Sequence, residues 1–143
     1  MSGNPGWSDI SVVVDFSYLC RLFYEMMARP RGNNPDYDKS KRPVPFAVDG
    51  VMQTVMWLAE QEPAQLFIAL DSGTSYREKI YPGYKGFREK PPEFWACYEL
   101  CLRDLMDNFS DHVHVVAAAD WEADDVCASV AHDAFAYGNR FII

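Results

Sequence analysis

Several features are scarce or absent in this sequence of 143 residues, and each absence excludes a class of protein. No segment approaches the roughly 20 consecutive apolar residues of a membrane-spanning helix. The start of the chain is polar, and the apolar run after it is too short for a secretory signal peptide. The four cysteines form no CxxC pair and lie in apolar stretches, which indicates reduced thiols and not disulfides or a structural zinc site. We therefore expect an intracellular protein.

Positive charge is also in short supply. Thirteen Lys and Arg stand against 21 Asp and Glu, so the net charge is -8. Whole-molecule charge therefore lacks the basic character of a nucleic-acid binder, and any surface for an anionic partner must be local. An apolar content of 49% is enough for one compact core, so we expect a single domain over residues 1–143.

Short apolar strands alternate with helices along the chain. Strands are predicted at 10–14, 65–70, 113–117 and from 140 onward, and helices from 16 to about 29 and over 44–61, 94–109 and 122–137. Gly138 is a natural C-terminal cap for the last helix. This order predicts an α/β fold of three layers, in which a mostly parallel sheet has helices on both faces.

Acidic residues follow the predicted strands. Asp15 and Asp71 end the first two strands, and Glu122, Asp124 and Asp125 open the helix after the third; we call these five residues the acidic rim. Parallel sheets bind ligands at the carboxyl ends of their strands, and clustered carboxylates favour Mg²⁺ or Mn²⁺. A structural alternative stays open, because such residues also cap helices and are favoured by the helix dipole.

Residues 72–93, here called the basic segment, interleave cations with aromatic rings. Five cations stand against three glutamates, a local charge of +2. Such a mixture neutralises phosphates and stacks on unpaired bases, although a solvated surface loop is the alternative. A basic segment beside an acidic rim is the combination that a nuclease needs.

Three motifs extend this interpretation, namely ALDSGTSYREKIYPGYKGFREKPPE, WEADD and RPVPFAVDGVM. In this order and spacing they resemble the 5′-nuclease domains of bacterial DNA polymerase I and the bacteriophage 5′ exonucleases, over about residues 10–143. The resemblance implies a PIN-like, resolvase-like fold and a Mg²⁺- or Mn²⁺-dependent 5′-3′ exonuclease or flap endonuclease. Its substrate would be DNA with a 5′ end or flap, and its location the cytoplasm, with the nucleoid if the source is bacterial.

The resemblance also implies roles for individual residues. The five carboxylates of the acidic rim would be metal ligands, directly or through water. Lys85 and Arg88 would be catalytic, lying in a helical arch over the active site and contacting the scissile phosphate. Arg77 and Tyr84 would assist in placing the nucleic acid.

The sequence departs from the family pattern after the strand that begins at residue 140. There the family continues into a D-K-D motif and a helix-hairpin-helix region, so we expect a fold truncated at its last strand and impaired cleavage by this chain alone. A non-catalytic nucleic-acid-binding or interaction module is the alternative, and a PIN-type ribonuclease is a third interpretation. The unpaired sheet edge predicts self-association or contact with another chain.

Overall fold

A parallel sheet forms the centre of the computed structural model, which describes residues 5–28, 44–71, 80, 92–109, 111, 113–136, 138 and 140–143. Its strands are β1 (Ile10–Asp15), β2 (Gln65–Ala69), β3 (His114–Val116) and β4 (Arg140–Ile142). They are ordered β3-β2-β1-β4, and each of the three pairings is parallel. The predicted α/β fold with a mostly parallel sheet is therefore confirmed.

The helices lie close to their predicted positions. They are α1 (Phe16–Ala28), α2 (Val44–Glu60), α3 (Pro92–Phe109) and α4 (Ala123–Ala136), preceded by a short 3-10 helix at Pro5–Trp7. The sequence predicted residues 92 and 93 to be part of the basic segment. They belong instead to α3, which begins at Pro92. Gly138 has a φ of 75° and donates its N–H to the Phe135 carbonyl at 3.0 Å, as expected of a residue that ends a helix. None of the helices in the described ranges is long and apolar enough to cross a membrane.

Helices cover both faces of the sheet, as predicted. The larger core lies between the sheet and α1, α2 and α3, and the smaller one between the sheet and α4. Ile10 and Val12 of β1 point into the first core, whereas Val13 points into the second. A strand buried on both faces is apolar at successive positions, which explains the three consecutive valines, Val12–Val14, in β1. All four cysteines are buried and free.

The strand β4 lies at one edge of the sheet. Arg140 donates from Nη2 to Asp9 Oδ1 at 2.7 Å and from Nε to Asp9 Oδ2 at 2.9 Å, and this pairing joins β4 to the start of β1. The hydrogen bond from Arg140 lowers the pKa of Asp9. Phe141 and Ile142 are exposed. Association with a second copy or another chain through this edge stays a prediction.

Candidate functional site

The ends of β1 and β2 bring two carboxylates of the acidic rim together. Asp15 is aligned with Ala69 in the parallel register, so Asp71 lies at the same edge of the sheet. The hydroxyl of Ser17 donates to Asp71 Oδ2 at 2.8 Å and lies 3.3 Å from Asp15 Oδ1. Two carboxylates that are distant in sequence therefore share one hydroxyl group.

Asp15 also caps α1. Its Oδ1 accepts the backbone N–H of Tyr18 at 3.2 Å, which satisfies one of the amides left without a partner at the start of a helix. The structural alternative is thus correct for this residue, but it does not compete with metal binding. An ionised carboxylate offers about four lone-pair sites, and the cap uses one of them.

Asp71 connects three elements. It follows β2, its Oδ2 accepts the Ser17 hydroxyl of α1, and its Oδ1 accepts the backbone N–H of Ala123, the first residue of α4, at 2.7 Å. The amide of Ala123 belongs to the positive end of a helix dipole, which favours a carboxylate in this position. Asp71 is exposed, yet both of its oxygens are oriented by hydrogen bonds.

The acidic residues at the start of α4 divide into two kinds. Asp125 Oδ2 accepts the backbone N–H of Glu122 at 3.0 Å, which is the return bond of a capping box. Asp124 is exposed, and its charge is close enough to raise the pKa of Asp15. The metal-binding roles of Glu122 and Asp125 stay predictions, whereas Asp124 joins Asp15 and Asp71 in one electrostatic cluster.

The negative charge of this cluster contributes to the raised pKa values of Asp15, Cys127 and Tyr98. Burial raises the pKa of Asp15, and the charges of Asp71 and Asp124 raise it further, against the lowering effect of the Tyr18 amide. Burial, with contributions from Asp15, Asp124 and Asp71, raises the pKa of the Cys127 thiol to about 11. Burial, then Cys20 and the same Asp15 and Asp71, raises the pKa of Tyr98 to about 12. Both groups are therefore protonated and neutral beside the rim at neutral pH.

Three residues at the site were missed by the sequence analysis, namely Ser17, Tyr98 and Cys127. Ser17 carries the one local signal, since it lies two residues after Asp15 at the start of a helix. Tyr98 and Cys127 carry none, because they lie on apolar helix faces whose position relative to the rim depends on packing.

The raised pKa of Asp15 predicts a pH-dependent effect of removing its charge. Asp15→Asn keeps an oxygen for the Tyr18 amide but removes a carboxylate whose ionised form is disfavoured in the fold. We expect this variant to be more stable than the wild type near neutral pH, and the difference to shrink as pH falls and Asp15 becomes protonated in both states. Urea unfolding in EDTA across this pH range measures the effect, and a difference that does not change with pH would contradict it.

The donors of the rim suit a hard cation. In the part of the chain that the structure describes, no three His, Cys, Asp or Glu side chains form a ready metal site. Mg²⁺ is usually held by one or two carboxylates and keeps several of its waters, so it does not need a closed cage of protein ligands. The paired oxygens of Asp15 and Asp71 are donors of the type that a hydrated divalent cation requires, and metal binding by the acidic rim stays a prediction.

The residues predicted to contact DNA are Arg77, Tyr84, Lys85 and Arg88, and all four lie outside the described residues. Their roles stay predictions. Asp71 is the last described residue before the basic segment, so this segment starts at the acidic rim.

The chain is similar in sequence to bacterial DNA polymerase I. The chain is 33% identical over 100 residues to DNA polymerase I of Chloroflexus aurantiacus, which covers 68% of this chain and 10% of that protein. It is 30% identical over 130 residues to DNA polymerase I of Deinococcus radiodurans, covering 90% of this chain and 13% of that protein. The chain thus spans only about a tenth of the length of these relatives.

A solved structure shows the same fold. The T5 D15 protein, which was co-crystallised with metal ions, matches with a TM-score of 0.53 and 21% identity over 86% of this chain and 44% of that one. The family model of the 5′-3′ exonuclease N-terminal, resolvase-like domain matches residues 11–143. Because this match spans nearly the whole sequence, the chain belongs to the family of 5′-3′ exonuclease N-terminal resolvase-like domains.

Proposed function

We propose that this chain is a nuclease domain that depends on a divalent metal and hydrolyses DNA phosphodiesters at 5′ ends or flaps. The observation that carries the proposal is the meeting of Asp15 and Asp71 at one hydroxyl, with the charge of Asp124 at the same edge of the sheet. Such a concentration of negative charge at strand ends favours a bound cation, because carboxylates that are neither protonated nor neutralised repel one another.

The carboxylates Asp15, Asp71 and Asp124 would hold Mg²⁺ or Mn²⁺, with Glu122 and Asp125 contributing directly or through water. A cation at this position supplies polarisation of a phosphoryl oxygen and lowers the pKa of an attacking water. The chain itself orients the carboxylates through the Ser17 hydroxyl and the amide of Ala123.

The basic segment would hold the DNA. Lys85 and Arg88 would contact the scissile phosphate, while Arg77 and Tyr84 would position the strand. Support comes from the sequence motif and from the start of this segment next to Asp71. A cationic segment of this kind also brings a polyanionic substrate close to carboxylates that would otherwise repel it.

Cleavage of a 5′-labelled DNA flap tests the proposal. We expect slow cleavage by the chain in Mg²⁺ or Mn²⁺, none in EDTA, and a matched RNA flap to be cut less well. Asp124→Asn is the control variant, because Asp124 is exposed and its replacement removes a charge while the caps at Asp15 and Asp125 remain. Cleavage that persists in EDTA, or that is unchanged in Asp124→Asn, would contradict metal-dependent hydrolysis at this site.

A non-catalytic binding module is the second candidate function. It is favoured by the engagement of Asp71 and Asp125 in hydrogen bonds at the start of α4, since these bonds stabilise the fold whether or not the chain cuts DNA. The same flap DNA distinguishes the two candidates. Binding measured by fluorescence anisotropy, without cleavage in either metal, would favour the binding module.

A further inference from the structure

Ser17 occupies an unusual place between the two strand ends. It lies in the first turn of α1, half-buried, and its hydroxyl is within reach of Asp15 Oδ1 and Asp71 Oδ2. A serine hydroxyl has one proton to donate. The shorter distance of 2.8 Å directs this proton to Asp71, and the 3.3 Å contact keeps Asp15 beside the same oxygen.

Each of the two carboxylates has a second, independent anchor. Asp15 is held by the amide of Tyr18, and Asp71 by the amide of Ala123. These amides orient the carboxylates separately, from the first turns of two different helices. Of these donors, the Ser17 hydroxyl is the one that reaches both carboxylates.

The separation of two carboxylates decides how well they share a cation. Both are carboxylates, and both lie against one oxygen atom, since Ser17 Oγ is 2.8 Å from Asp71 Oδ2 and 3.3 Å from Asp15 Oδ1. Without the intervening hydroxyl, their repulsion would turn the side chains apart, and the cation would have to draw them together. Groups that orient metal ligands in this way typically contribute about 10- to 100-fold to metal affinity or activity.

We propose that Ser17 is a positioning residue, which through its hydroxyl holds Asp15 and Asp71 at the spacing required to bind a divalent cation. This inference rests on the proposed metal-dependent function and extends it to a residue outside the acidic rim. Ser17 does not need to contact the cation or the substrate. Its contribution is to arrange the two carboxylates before the cation or the substrate binds.

Substitutions at this position separate the hydroxyl from the rest of the side chain. Ser17→Ala removes the link but leaves both amide anchors, and alanine is the better helix former, so the fold is expected to be retained. Ser17→Thr restores a hydroxyl at the same position. Ser129→Ala is the matched control, because Ser129 is also a half-buried serine in a helix but lies in α4 beyond its first turn.

The test is Mn²⁺ binding by the complete chain, measured from the free Mn²⁺ signal in electron paramagnetic resonance, with thermal unfolding in EDTA recorded for every variant. We expect Ser17→Ala to raise the Kd about 10- to 100-fold, with Ser17→Thr and Ser129→Ala close to wild type. Equal Mn²⁺ affinity of Ser17→Ala and wild type would overturn the positioning role of Ser17 and leave the proposed metal dependence in place. Equal weakening by Ser17→Thr and Ser17→Ala would overturn it too, since the hydroxyl would not be the cause. Failure of the wild type to bind Mn²⁺ would instead overturn the proposed metal dependence, and this inference with it.

Discussion

Replacement of Asp71 by alanine is expected to abolish metal-dependent cleavage and to destabilise the fold, whereas Asp71→Asn should abolish cleavage alone. The alanine variant loses the acceptors for the Ser17 hydroxyl and the Ala123 amide, which join α1 and α4 to the end of β2. Hydrogen bonds to charged groups contribute about 1.5–3 kcal/mol when buried, so at this exposed position we expect a total loss of about 1–2 kcal/mol.

The asparagine variant retains an oxygen for the Ala123 amide, and its amide nitrogen can donate to the Ser17 oxygen. It loses the charge that would hold the cation, so cleavage should fall by more than about 100-fold, beyond the effect of residues that only orient ligands. Flap cleavage and urea unfolding measured side by side distinguish the two effects. If Asp71→Asn cut DNA at the wild-type rate, Asp71 would be a structural residue and not a ligand.

Gly50→Val is expected to lower the free energy of unfolding by about 3 kcal/mol, because the site has no room for a side chain. A Cβ at Gly50 would lie 2.4 Å from Cδ1 and 2.6 Å from Cε1 of Phe23, across the contact between α2 and α1. Helix propensity does not explain this glycine, since alanine would favour the helix by about 1 kcal/mol. The close approach of α1 and α2 at Phe23 and Gly50 explains the glycine.

A double-mutant cycle with Phe23→Ala tests this cause. If the clash is responsible, the double variant should be less destabilised than the sum of the single variants by at least about 1 kcal/mol. Met56→Val in the same helix is the control, because Met56 is exposed and the change carries the same β-branched penalty without the clash. Additive effects of Gly50→Val and Phe23→Ala would contradict the prediction.

Secondary structure could be predicted from local sequence patterns. The apolar run of β1 and the helical spacing of α2 place these elements within one residue of their observed ends, since periodicity and flanking breakers act over short distances. Pro92 shows the limit of this approach. It was assigned to the basic segment, although proline is well tolerated in the first turn of a helix, where its missing N–H would have no partner.

The position of the acidic rim could be predicted from the sequence for a similar reason. The carboxyl ends of parallel strands meet at one edge, so the position of Asp15 and Asp71 after two strands was enough to bring them together. The sequence predicted the same metal-binding role for Asp124 and Asp125. Neighbouring residues on a helix point about 100° apart, and the cap formed by Asp125 depends on the path of the backbone at Glu122.

The sequence alone determined the alternation of strands and helices and the meeting of Asp15 and Asp71 at the strand ends, because each of these follows from residue type and local spacing. Only the tertiary structure decided that Ser17 links Asp15 to Asp71, that Asp71 binds the first amide of α4, and that Tyr98 lies beside them. These contacts join residues more than 50 positions apart in two cases. Their geometry depends on how α1, α3 and α4 pack against the sheet, which no local pattern encodes.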